Sequence, residues 1–196
     1  MPEKRTLREQ ETYPDVQFSL YTGVANEVKE RIVGGLLDFG ILIEPVDISR
    51  FQFVRLLEKD YWTALLRKDH PLAQQKAITP ADLIGEKLIL PARLAVKNQL
   101  ENWFGKYMED IHTVGTLNLS SYNKQILVRH GMGLAMGTYF ETTFPELCMR
   151  PVKPAIESGN VVVWKRTQAM TPYCGVSLRP CKRPSLARRR QQWIQT

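Results

Sequence analysis

The sequence predicts an α/β fold of two lobes joined by two passages of the chain. Strand-like apolar runs alternate with helical periodicity in two separate stretches, and further strand-like segments lie between those stretches. A chain of 196 residues is long enough to form one large domain or two small lobes, and to bury a core. The order of the elements favours the two lobes.

The first lobe is expected to open with a strand, a helix and a second strand. Residues 3–12 are charged and helix-prone, and residues 16–21 alternate apolar and polar side chains as a half-buried strand does. Apolar residues then recur at helical spacing over 24–33, and Gly34-Gly35 supplies the helix stop. Residues 39–43 are a short apolar run typical of a strand buried on both faces. These segments predict a βαβ unit with parallel strands.

The rest of the chain is expected to add strands and helices in alternation. Residues 53–57 and 61–66 have the pattern of strands, and Thr79 caps a short helix that begins at Pro80. Further elements are expected as a strand over 87–90 broken by Pro91, a helix over 96–109, a strand over 111–117, a helix that ends at Gly131, and strands over 133–137 and 161–165.

Composition excludes several classes of protein. Hydrophobic residues make up 43% and charged residues 24% of the chain, as in an ordinary globular domain. No apolar run reaches the roughly 18 residues that span a bilayer, and the polar N-terminus predicts a cytoplasmic protein without membrane partners. The three cysteines are too few for a disulfide framework, and no histidine stands at metal-ligand spacing from them. No cofactor or metal is expected.

The positive charge of the chain belongs to its C-terminal tail. The formal net charge is +7, but no acidic residue follows Glu157. Six basic residues in the tail account for most of the excess, so the remainder of the chain carries about +1; they are Arg179, Lys182, Arg183, Arg188, Arg189 and Arg190. Binding of nucleic acid is therefore an alternative function for the tail alone, through salt-sensitive contacts.

Several short motifs stand in a familiar order. They are Tyr13-Pro14-Asp15-Val16, Gly23, Gly35-Leu36-Leu37-Asp38-Phe39-Gly40-Ile41, Lys68-Asp69-His70-Pro71-Leu72-Ala73, Ile78 to Leu83, and Leu127-Val128-Arg129-His130-Gly131-Met132-Gly133-Leu134-Ala135. In this order and spacing, over residues 10–172, the chain resembles the effector-binding domain of LysR-type transcriptional regulators. No single motif is specific to this family, and the resemblance rests on the order and spacing of all of them.

The resemblance implies two Rossmann-like lobes of the periplasmic-binding-protein type 2, with a small effector between them. Lobe I would comprise residues 1–60 and 155–176, and lobe II residues 61–154. The family's winged helix-turn-helix and the first strand of lobe I have no counterpart here, so DNA contact and homo-oligomer formation are expected of the full-length regulator. Residues 177–196 are expected to be a disordered basic tail. Open sheet edges in lobe I predict poor solubility or strand exchange.

The expected ligand site lies where strands end and helices begin, because ligands of open parallel sheets bind beyond the carboxyl ends of the strands. The residues expected there are Thr22, Gly23, Glu44, Trp62, Pro91, Arg93, Ser120, Ser121 and Asn123. Arg93 is suited to pair with a carboxylate. Simpler roles stay open, since Thr22 and Ser121 fit plain helix caps, Arg93 fits a solvated loop and Trp62 fits the core.

The function expected from these observations is effector sensing rather than catalysis. The chain has no GxSxG, HExxH or P-loop motif, and none of its three histidines stands near a candidate nucleophile. The expected partner is a small molecule, with carboxylates and amino acids as the leading classes. A solute-binding protein of a transport system is the alternative with the same fold.

Overall fold

The computed structural model describes residues 17, 19–118 and 121–167. In this part of the chain the strands are β1 (Gly40–Ile43), β2 (Phe51–Arg67), β3 (Lys87–Pro91), β4 (His112–Leu117), β5 (Leu134–Thr138), β6 (Leu147–Pro151) and β7 (Glu157–Lys165). The α-helices are α1 (Ala25–Val33), α2 (Leu94–Phe104) and α3 (Ser121–Arg129), and 3-10 helices cover Pro71–Gln74, Pro80–Leu83 and Gly105–Asp110. The predicted helix over 3–12 and the tail over 177–196 lie outside the described residues.

Strand β2 belongs to two sheets. Its residues 51–61 pair antiparallel with β7, which also pairs with β1, and we call these three segments the small sheet. Its residues 62–67 pair antiparallel with β5 and β6. We call this second half of β2, together with β3 to β6, the large sheet. The register of β2 against β7 shifts between Arg55 and Lys59, just before the strand passes from one sheet to the other.

The large sheet is covered on both faces. Strand β3 pairs in parallel with both β4 and β5, so the carboxyl ends of these three strands point the same way. Helix α2 packs on one face through Leu100 and Phe104, which share the largest described core cluster with Leu88. Helix α3 packs on the opposite face, where Val128 and Ile89 belong to a second cluster. Alternate residues of β3 and β5 therefore enter opposite cores, as the period of a strand requires.

Within the described part of the chain, the small sheet is covered on one face only. Helix α1 packs Val28 and Ile32 against Leu42 and two valines of β7, Val161 and Val163. On the other face Ile41 is 55% exposed. The prediction that residues 39–43 are buried on both faces is therefore wrong. An apolar run is buried only where a second layer covers it, and no described element covers this face.

Several local predictions are confirmed. Helix α1 ends at Gly34, and Gly35 follows with a positive φ of 73° that glycine adopts without strain. The amide of Leu36 then donates to the carbonyl of Arg31 over 2.8 Å, which closes the helix end. Thr79 precedes a 3-10 helix that begins at Pro80, as expected.

The strand predicted over residues 16–21 is wrong for the residues that the structure describes. Residues 17 and 19–21 have no strand pairing, so the expected parallel βαβ unit does not form there. Among the described residues β1 pairs with β7 alone, and that pairing is antiparallel. An alternating sequence makes a strand only when a neighbouring strand takes up its backbone hydrogen bonds.

Candidate functional site

The carboxyl ends of β3, β4 and β5 form one edge of the large sheet. Pro91 is the last residue of β3 and lies opposite Leu117, the last residue of β4. Helices α2 and α3 begin just beyond these strand ends and cover opposite faces of the sheet. Their first turns therefore flank the edge from both sides, and helix N-termini carry partial positive charge. This edge is the candidate site.

Arg93 connects the candidate site to the small sheet. It directly precedes α2. Its Nη2 atom donates to the carbonyl oxygen of Ile43, at the end of β1, over 2.9 Å. Burial lowers the pKa of this half-buried guanidinium below its ordinary value, and no carboxylate among the described residues pairs with it. The side chain keeps a positive charge at the place where the two sheets approach each other.

Glu44 follows Ile43 and lies beside this contact. Its carboxylate accepts a hydrogen bond from Nε of Arg55 over 3.0 Å, and its amide donates to the carbonyl of Gly159 over 2.9 Å. Glu44 is thereby tied to the neighbouring strands of the small sheet. Glu44 and Arg93 thus lie at the boundary between the two sheets, and Pro91 ends β3 two residues before Arg93.

Thr22 and Gly23 are exposed and do not cap helix α1. Val24 is the residue before the helix, and no side chain caps the helix there. The space next to Gly23 is filled by Tyr21, whose hydroxyl donates to Oε2 of Glu27 over 2.9 Å. No described contact joins Thr22 or Gly23 to Arg93 or to the start of α3.

The residues at the start of α3 are partly open to solvent. Ser121 is the first residue of the helix, and both Ser121 and Asn123 are exposed. The carbonyl of Ser121 accepts a hydrogen bond from Nε2 of Gln125 over 3.5 Å. Ser120 lies outside the described residues. The exposed hydroxyl and amide are available to a ligand at the edge of the sheet.

Trp62 is a core residue in this structure. It is 4% exposed and belongs to the cluster beneath α2. Its indole Nε1 donates to Oγ of Ser158 over 2.9 Å. This hydrogen bond joins β2 to the start of β7, where the two sheets meet. Trp62 therefore stabilises the junction of the two sheets.

A separate depression lies at the opposite, amino-terminal end of the large sheet. It has a volume of about 290 Å³, and its lining includes His70, Glu86, Lys87, Gly131 and Gly133. Nε2 of His70 lies 3.3 Å from Oε2 of Glu86, so two of its polar groups already face each other. Ligands of open α/β sheets bind at the carboxyl ends of the strands, and this depression lies at the other end.

Comparison with known proteins identifies the family. The model of the LysR substrate binding domain matches residues 7–178. The chain belongs to this family. The HTH-type transcriptional regulator YvbU of Bacillus subtilis is 33% identical to this LysR-type domain over 127 residues, which cover 63% of the chain and 41% of the relative. The chain spans about two fifths of the length of the first two curated relatives that it matches.

Solved structures share the fold of this LysR-type domain. The regulator HinK of Pseudomonas aeruginosa superposes with a TM-score of 0.77 at 18% identity, covering 89% of this chain and 62% of that one. The effector binding domain of QuiR, in complex with shikimate, superposes with a TM-score of 0.78 at 12% identity, covering 90% of this chain and 86% of that one. The predicted fold of the periplasmic-binding-protein type 2 is therefore confirmed.

Two polar residues of this LysR-type domain were missed from the sequence. Gln99 of α2 donates through Nε2 to the carbonyl of Glu157 over 3.3 Å, while its Oε1 is buried without a partner among the described residues. Lys124 of α3 lies against β5, where Gly137 leaves room for it. The sequence signals were slight, namely a polar residue between Val96 and Leu100 and a lysine three residues after Ser121.

Two other observations limit the chemistry of the described residues. They contain no group of three histidine, cysteine, aspartate or glutamate side chains placed to hold a metal ion. None of their helices is long and apolar enough to cross a membrane. What the edge offers a ligand is hydrogen-bond donors and positive charge, from Arg93, Lys124, Ser121 and the first turns of two helices.

Proposed function

We propose that this chain is the effector-sensing domain of a LysR-type transcriptional regulator and binds a small metabolite between its two lobes. The observation that carries the proposal is the convergence of two helix N-termini and Arg93 on one edge of the large sheet. The complex of the QuiR domain with shikimate supports it, because that domain shares the fold and takes a small molecule. Family membership favours a regulator over a solute-binding protein of transport.

In this proposal lobe I comprises residues 1–60 and 155–176, and lobe II comprises residues 61–154. The ligand contacts are Thr22, Gly23 and Glu44 from lobe I and Pro91, Arg93, Ser120, Ser121 and Asn123 from lobe II, with Trp62 beneath them. Closure of the lobes around the ligand shifts a population between two arrangements, and the shift reaches DNA through the helix-turn-helix of the whole regulator. The domain acts in the cytoplasm as part of a homo-oligomer and performs no catalysis.

The test is a thermal-shift titration of the full chain with a metabolite panel weighted toward carboxylates and amino acids. A ligand at 100 times its dissociation constant stabilises the folded state by about 2.7 kcal/mol. For a chain of this size, that corresponds to a rise in melting temperature of roughly 5–10 °C. The expected result is a saturable rise for a subset of the panel.

Matched variants locate the site. Ser121→Val removes a hydroxyl at the proposed edge, and Thr113→Val removes an exposed hydroxyl near the opposite end of β4. We expect Ser121→Val to reduce the shift and Thr113→Val to leave it unchanged. A panel without any saturable shift, or a shift that both variants keep in full, would refute the proposed site.

A further inference from the structure

Lys124 lies against the sheet instead of extending into solvent. It stands one turn into α3, on the side of the helix that faces β5. Its Nζ atom occupies the place where Gly137 would carry a side chain, since a Cβ built there would lie 2.7 Å from Nζ. Gly137 is the last residue but one of β5, so the ammonium group lies near the carboxyl end of that strand. This is the edge at which the ligand is proposed to bind.

The charge of Lys124 is not neutralised by any described residue. Arg129, on the same helix, pairs with Oε1 of Glu146 over 2.5 Å. Lys124 has no such carboxylate among the described residues, and burial lowers its pKa from the ordinary 10.5. Lys59 shows the opposite case, because the hydrogen bond and charge of Glu157 raise its pKa. A cation that is largely withdrawn from water without a partner costs free energy.

The groups beneath Lys124 do not relieve this cost. The carbonyl of Gly137 already accepts a hydrogen bond from Oγ1 of Thr63 over 3.1 Å. The sulfur of Met149 lies 4.0 Å from the same hydroxyl and carries no charge. Arg93, at the start of α2 and so on the other face of the sheet, is a second half-buried cation without a carboxylate. Two positive charges that no carboxylate among the described residues compensates therefore flank the strand ends.

We infer that Lys124 binds an anionic oxygen group of the effector, and that the effector is an organic acid rather than a neutral or cationic metabolite. The inference rests on the proposed function and names the chemical class of its ligand. The ammonium group donates up to three hydrogen bonds as a compact point charge, so it suits a carboxylate or a phosphate equally well. The N-terminus of α3 adds partial positive charge on the same side.

The test uses pairs of probes that differ in charge but little in shape, namely benzoate with benzamide and shikimate with its methyl ester. Phenyl phosphate is added to distinguish phosphate from carboxylate.

The full chain is compared with Lys124→Met, Lys124→Arg and Gly137→Ala. The Gly137→Ala change displaces the ammonium group of Lys124 without removing it. Lys106→Met is the control, since Lys106 is exposed beyond the far end of α2. Dissociation constants are taken from melting temperatures across a titration.

The expected result is that an acid stabilises the full chain and its neutral partner does not. Lys124→Met should weaken binding of that acid by about tenfold to a hundredfold, as loss of a charged hydrogen bond does. Lys124→Arg should retain part of the affinity, Gly137→Ala should lose part of it, and Lys106→Met should keep it. Without ligand, Lys124→Met should melt at a higher temperature than the original chain, because an unpaired cation is removed.

Each contrary outcome has its own meaning. An acid and its neutral partner could bind with equal affinity, and Lys124→Met could leave both affinities unchanged. That result would overturn the role of Lys124 but would not contradict the proposed sensor function. If no probe binds, the lysines are labelled with 13C-methyl groups and titrated with sodium sulfate by NMR. A saturable shift at Lys124 greater than that at Lys106 would support the anion site, and equal shifts would overturn it.

Discussion

The two sheets contain similar apolar strands but differ in what covers them. In the large sheet, Leu88 and Ile89 face opposite ways and both are buried, because α2 lies on one side and α3 on the other. In the small sheet, Leu42 is buried beneath α1 while its neighbour Ile41 is exposed. The comparison teaches that an apolar strand specifies its own conformation more than its own burial, which depends on elements elsewhere in the chain.

The largest expected effect comes from the core of the large sheet. Phe104 is 1% exposed and packs edge-on against Trp103, with ring centroids 5.1 Å apart. Replacing Phe104 with alanine should lower the free energy of unfolding by about 3–5 kcal/mol, since it removes buried area and leaves a cavity. Urea denaturation of the full chain measures the loss.

Leu57 provides the matched control in the irregular stretch of β2 between Arg55 and Lys59, within the small sheet. It is 86% exposed, so Leu57→Ala should change the free energy of unfolding by less than about 0.5 kcal/mol. Equal losses for the two variants would show that stability is not concentrated in the large sheet.

This contrast also explains how much of the fold was predictable. Local sequence patterns located α1, β1, β3 and the capped turn at Thr79, because their apolar spacing and stop signals are local and both strands found partners to pair with. The failure at residues 16–21 has a different origin, since a strand needs a partner that no local pattern reveals. The single continuous β2 was expected as two strands for the same reason.

The strand ends that form the candidate site were predictable from the sequence, but the contacts around them were not. Arg93 was expected beyond a strand end, and the structure places it there. Val24 precedes α1 where Thr22 and Gly23 were expected to open it. Lys124 carries no sequence signal of burial, because the space it occupies is created by Gly137 on a different element.

A smaller effect is expected from the cap of the short helix that packs on the large sheet. The carboxylate of Asp82 accepts hydrogen bonds from the backbone amide of Thr79 over 2.7 Å and from its hydroxyl over 2.6 Å. Asp82→Ala should lower the free energy of unfolding by about 1 kcal/mol at neutral pH, because the Thr79 amide loses its partner. Helix α1 has no side-chain cap, and Val24→Ser would supply one. The rise in the free energy of unfolding should be smaller than the loss in Asp82→Ala, because a serine cap satisfies one amide whereas Asp82 accepts two hydrogen bonds from Thr79.

The contribution of Asp82 should depend on pH. Burial raises the pKa of its carboxyl, but the hydrogen bonds from Thr79 and Gln75 outweigh burial and hold the pKa below its ordinary value of 3.8. A lowered pKa in the folded state means that the stabilisation is complete above 3.8 and is lost as the pH falls through the folded value. As the pH is lowered from about 5 to about 1, the free energies of unfolding of the original chain and of Asp82→Ala should therefore converge. Parallel curves over that range would contradict this account.

The smallest effect is expected on the uncovered face of the small sheet. Ile41→Thr keeps a β-branched side chain in β1 and replaces an exposed apolar group by a polar one. The free energy of unfolding should change by less than about 0.5 kcal/mol, and solubility should rise. A loss of 2 kcal/mol or more, of the size seen for buried side chains, would mean that another part of the chain or a second copy covers this face.

The passage of β2 through both sheets has a mechanical consequence. Seventeen consecutive residues form one strand, and its pairing partner changes from β7 to β5 and β6 between Tyr61 and Trp62, shortly after the register shift between Arg55 and Lys59. Because the same strand is hydrogen-bonded into both sheets, neither sheet can move away from the other without bending β2 or breaking its pairing. Under the proposed function, we expect rotation of one sheet relative to the other to be concentrated between Arg55 and Lys59, where the ladder is interrupted.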